Sequence, residues 1–143
     1  MIGDKQKIIM THKAIVELWD DGTFSIFVPE MKNHSLNAQG KTVAEAKKNL
    51  LSAIEDYITM YKESGNSVPK EIDRPMFEYK YDLASFFDYF DWINISKLAV
   101  KAKINPSLMR QYKSRVTYAS EKQSEKIQRS IHKLGEELLA VRL

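Results

Sequence analysis

Ser107, Arg110 and Gln111 lie in the stretch ISKLAVKAKINPSLMRQYKSR (95–115), which also carries Lys97, Lys101, Lys103, Lys113 and Arg115 and has no acidic residue. Arg forks onto the acceptors of guanine and Gln pairs with adenine, so these side chains on one helix face suit reading base edges in a major groove. Lys113 and Arg115, with the amides and hydroxyls at Thr117, Tyr118 and Ser120, suit phosphate oxygens at the start of a following helix. Lys97 and Lys101 add charge from the helix before. Between Trp92 and Lys133, 10 basic residues stand against Glu121 and Glu125 alone, a local net of +8 in a chain of formal charge +3. Such clustering favours nucleic acid, because phosphate contacts release counterions.

Other chemistries find little support. Zero Cys and three separated histidines, His12, His34 and His132, give no metal-ligand spacing, and no cofactor is expected. A metal-dependent nuclease needs converging carboxylates, and Glu17, Asp20, Asp21 and Glu30 are the one cluster on offer. Asp20 and Asp21 are explained more simply as turn formers. No Ser or His sits in a recognisable nucleophile setting, and five Gly make no phosphate loop. The expectation is a protein that is not an enzyme.

Base readers need a braced helix, and the sequence supplies the parts. Asp82 caps LASFFDYFDW, whose aromatics recur at helical spacing and read as core rather than as base-stacking groups. Asn94 or Ser96 caps SKLAVKAK. Asn105 then caps a helix with Pro106 at its first position, Met109 and Tyr112 facing inward and Ser107, Arg110 and Gln111 outward. Ala99, Ile104, Met109 and Tyr112 have the spacing of two helices crossing at a small residue.

Residues 82–140 thereby resemble the Cro and phage-repressor type of helix-turn-helix domain, in which many members carry Gly where this chain has Lys103. Lys adopts a positive φ at a cost of order 1 kcal/mol. Two packed helices with a merely solvated face remain the alternative. From Ser120, with Gln123 at capping-box spacing, a last helix runs toward the C-terminus. Its stripe Ile127, Ile131, Leu134, Leu138, extended by Leu139, Val141 and Leu143, is covered first by the aromatic helix and then by a partner subunit, so that a homodimer or higher homo-oligomer is expected.

The first half reads as KAIVEL and FSIFV strands around an Asp21-Gly22 turn and a short strand at Leu36–Gln39. Thr42 and Glu45 open a helix with Val43, Ala46, Leu50, Ile54, Tyr57, Ile58 and Tyr61 on its buried face, and Met76–Tyr81 forms a last strand. The acidic-Gly turn, Val28-Pro29-Glu30, Gly40-x-Thr42, Glu45-Ala46 and Pro69 stand in an order, over residues 13–81, that resembles the HicB-type antitoxins. Where that family has a Pro-Gly-Cys-like segment, this chain has Met31-Lys32-Asn33-His34 and is about two residues longer before Gly40.

The fold class expected is α+β: a small antiparallel sheet with one packed helix, partial RNase H-like, over residues 1–81, followed by an all-α helix-turn-helix domain over 82–143. The resemblance implies an antitoxin that neutralises a HicA-like mRNA-cleaving toxin and represses its own operon by binding double-stranded operator DNA. It singles out no toxin-facing residue. A stand-alone helix-turn-helix regulator, its first half serving dimerisation or a ligand, is the alternative. With no run of about 18 apolar residues and no signal-like start, the chain is expected in the cytoplasm, without a membrane partner.

Overall fold

The structure, a computed structural model, describes residues 9–143; the first eight residues of the expected first domain lie outside it. Among the described residues it is mixed α/β, with a five-stranded sheet and five helices, in keeping with the α+β class expected. None of the helices is long and apolar enough to cross a membrane.

β1 (Thr11–Leu18) and β2 (Phe24–Phe27) form the expected hairpin, antiparallel, with Ile15 opposite Phe27 and Leu18 opposite Phe24. Local chemistry closes the turn: Asp21 Oδ1 accepts from the Thr23 amide at 2.9 Å and from its hydroxyl at 2.6 Å, while Gly22 takes φ 82°. β3 (Asn37–Gly40) pairs with β2. At Gly40 a Cβ would sit 2.5 Å from the Ala46 amide nitrogen, so only glycine lets the sheet edge touch the first turn of α1 (Val43–Glu63). Thr42 caps that helix, accepting from the Glu45 amide at 3.1 Å, and Ala46, Leu50, Ile54 and Ile58 line its buried face.

The sheet is not purely antiparallel as expected. β4 (Met76–Tyr81) runs parallel to β1, from Thr11 opposite Met76 to Val16 opposite Tyr81. Because β3 ends beside α1 and the helix crosses the sheet before β4 begins, the returning strand enters in the direction of β1; a hairpin would have reversed it. The order is β3-β2-β1-β4-β5, and the edge strand β5 (Ala119–Ser120) comes from the second half of the chain.

α2 (Leu83–Tyr89) stops three residues short of the expected Trp92, with Phe90 leaving helical geometry at ψ 58°. α3 (Ile95–Ala102), α4 (Pro106–Lys113) and α5 (Glu121–Leu139) follow, and α5 ends at Leu139 rather than running to residue 143. Apolar residues form two clusters. One, around Ala14, Ile26, Leu50 and Ile72, lies between sheet and α1. The other, around Phe87, Ala99, Met109 and Ile127, lies among the later helices, and Tyr81 packs against both.

Candidate nucleic-acid interface

α3 starts where Asn94 accepts from the Lys97 amide at 3.0 Å, which settles the cap between Asn94 and Ser96. It ends at Lys103, whose φ of 57° and ψ of 42° are the left-handed turn that the position demands. The Lys103 amide donates to Val100 O and the Ile104 amide to Ala99 O, so these two carbonyls of the last turn of α3 are satisfied as the chain reverses. Ala99 is fully buried, and its small side chain lets α4 come close. The strain at Lys103 is testable: Lys103→Gly is expected to raise unfolding stability by roughly 0.5–1 kcal/mol, read as a urea midpoint shift, with the backbone unchanged.

α4 is set by Asn105, which accepts from the Ser107 amide at 2.8 Å, and by Pro106 in the first turn. Met109 and Tyr112 are buried, so Ser107, Arg110 and Gln111, at helical offsets of three and four, share the exposed face. The Arg110 guanidinium donates to Ser107 Oγ at 3.0 Å. Two of the three base-reading candidates therefore hold each other, and a base edge would exchange that exposed contact for its own.

Lys113 and Arg115 sit beside this face but are not free. Lys113 Nζ lies 3.4 Å from Asp88 Oδ1, and Arg115 Nε donates to Asp82 Oδ2 at 3.3 Å. Asp82 is buried, caps α2 through the Ser85 amide, and holds the Arg115 guanidinium above its ordinary value, first by the hydrogen bond and then by charge. Arg115 itself has φ 59°. Sequence reasoning found Asp82 as a cap and missed it as a counter-ion, since 33 residues separate it from Arg115.

The remaining candidates do not gather on α4. Thr117 and Tyr118 line a separate groove of about 410 Å³ over the sheet, with Lys13, Ile15, Phe27 and Lys80. Ser120, expected to hold a phosphate, instead spends its hydroxyl on the Gln123 amide at 3.2 Å as the cap of α5, and its backbone pairs with Lys80. Glu121 then places a carboxylate at that helix start, 2.8 Å from Lys47 Nζ, where it would repel a phosphate. The Lys47 hydrogen bond keeps this carboxyl below its ordinary value. Lys97 and Lys101 border yet another groove, with Trp92 and α5.

Three of the four acids weighed for metal chemistry have separate partners. Asp21 holds the turn, Glu17 accepts from Trp19 Nε1 at 3.0 Å, and Glu30 approaches His12 Nδ1 at 3.5 Å. Among the described residues no three of His, Asp and Glu converge as metal ligands would. No family model, curated protein or solved structure matches this chain.

Proposed function

We infer that α3 and α4 form a helix-turn-helix that places Ser107, Arg110 and Gln111 in the major groove of DNA. The observation that carries this reading is the sharp left-handed turn at Lys103 between two short helices, with α4 turning Met109 and Tyr112 inward and the three polar side chains out. Arg110 then reads guanine and Gln111 adenine, while Lys113 supplies phosphate charge.

The sheet half is assigned to a partner protein, in line with the HicB resemblance. Supporting it are the hairpin, the long α1 on one face and the parallel β4, an arrangement that suits the partial RNase H-like fold which that resemblance implies. On this reading the chain is an antitoxin: it occludes a small HicA-like ribonuclease sterically, without covalent chemistry, and represses the operon that encodes both.

Arg110→Ala should cost roughly 1–3 kcal/mol of affinity for the DNA upstream of the chain's own reading frame and relax specificity at one base. Lys113→Ala should weaken binding to all sequences and lower the salt slope by about one. Fluorescence anisotropy at several salt concentrations measures both, and equal losses by both variants on operator and random DNA would sink the assignment. Co-expression with the neighbouring reading frame tests the role assigned to the sheet half. Capture of that product with relief of its growth arrest supports the antitoxin, whereas DNA reading with no captured partner favours a stand-alone regulator.

A further inference from the structure

Leu134 and Leu138 of α5 face Trp92, Ile93 and Leu98 across a groove of about 310 Å³. Leu98 is buried while Trp92 is 72% exposed, so the groove has an apolar floor and one open aromatic wall.

Charge is unevenly placed around it. Lys97 and Lys101 stand one turn apart on α3 and Lys133 lies on α5, against Glu137 alone, an excess of two positive charges. Lys47, Lys80, Lys113 and Arg115 each meet a carboxylate within 3.4 Å, whereas among the described residues no acid pairs with any of these three lysines. An apolar cleft with a few polar groups at its edge is the usual form of a small-molecule site, and about 300 Å³ is the lower end of such sites. Unpaired ammonium groups beside apolar walls favour an anion over a cation of the same shape.

We propose that this groove binds a small amphiphilic anion, a medium-length apolar chain or single ring that lies against Trp92, Leu98, Leu134 and Leu138 with its one carboxylate at the lysine rim. The lysines serve both ends of such a ligand, since their methylene stems extend the apolar wall while the ammonium groups stay in water. An amphipathic helix from another protein would need a longer trough, because it seats several anchors over two turns or more.

Octanoate is the probe, titrated into the full chain with the emission of Trp92 as readout. Trp19 lies beside the sheet hairpin, outside the groove, and supplies a constant background. A saturable blue shift is expected, half complete below roughly 1 mM. Hexanoate should bind about tenfold more weakly, because each buried methylene is worth roughly a three- to fourfold factor. Octylamine, the cation of the same chain length, should leave the emission unchanged. Lys97→Gln with Lys101→Gln should weaken octanoate by roughly tenfold. Both side chains are exposed, and circular dichroism checks that the helices are kept. Leu138→Ser, which opens the apolar wall at an exposed position, should weaken it as well. No saturable shift up to about 10 mM octanoate overturns the proposal. So does an equal response to octylamine, or indifference to both the lysine and the Leu138 substitutions. Emission that shifts with protein concentration alone, or with phosphatidylglycerol vesicles but not with octanoate, overturns it too and gives the groove to a second copy or to a membrane surface. No readout involves DNA, so failure here and failure of the base-reading assignment are separable.

Discussion

Phe87→Ala should lower unfolding stability by about 3–5 kcal/mol, the largest single loss expected in the second half of the chain. Phe87 is 1% exposed and packs in the cluster that includes Leu83, Leu98, Ala99, Met109 and Tyr112. Truncation removes an entire ring from the interior, and the helices around it are too short to refill the space without losing their own contacts. Domains of this size hold roughly 5–15 kcal/mol in total, so the variant would retain little margin. Urea titration followed by circular dichroism and by tryptophan fluorescence reads the loss. Trp19 sits beside the sheet hairpin and Trp92 beside the later helices, so the two signals should move together if both halves unfold as one. A loss below about 1 kcal/mol would mean that the ring is replaceable, against the burial seen.

Asp82→Ala is the second large effect, about 1–3 kcal/mol. The carboxylate caps α2 by accepting from the Ser85 amide at 3.3 Å and pairs with Arg115 at 3.3 Å, while its own amide donates to Val16 O at 2.8 Å. Most of the loss belongs to the cap, because Arg115 is half exposed and water screens its share. Asp82→Asn separates the contributions. Asn caps nearly as well as Asp, so this variant should keep most of the stability while losing the charge that detains Arg115. If Asp82→Asn is as damaging as Asp82→Ala, the ion pair outweighs the cap and the apportioning is reversed.

Features governed by neighbours in sequence were legible from the residues. Thr42, Asp82, Asn94, Asn105 and Ser120 each cap the helix that follows through its own side chain, because a cap involves groups only two or three residues apart. The inward faces of α1 and α4 followed from helical period, and with them the common side of Ser107, Arg110 and Gln111. What was not legible depends on distant parts of the chain. Strand direction in β4 is set by the crossover of α1, and no property of MFEYKY encodes it. Two residues, Ala119 and Ser120, are too short a strand to carry a period, so the sequence shows no sign of β5, and the sheet partner of Ser120 is not legible in it. The pairing of His34 with Glu71 at 2.6 Å and with Tyr61 at 3.0 Å is equally hidden, since the partners stand 37 and 27 positions away in sequence.

β5 has a consequence for anyone dividing the gene. Lys80 pairs with Ser120 and Tyr81 with Ala119, so the last two residues of the edge strand built by the first half are covered by a segment translated about forty residues later. A fragment ending at Tyr81 would leave Lys80 and Tyr81 unpaired as well, lengthening the open edge of β4 that another chain could pair with. Extending the fragment through Ser120 would restore the partner strand but strip Ile127 from the helical cluster. The cut that looks natural between a sheet and its following helices therefore separates residues that pair with each other across it.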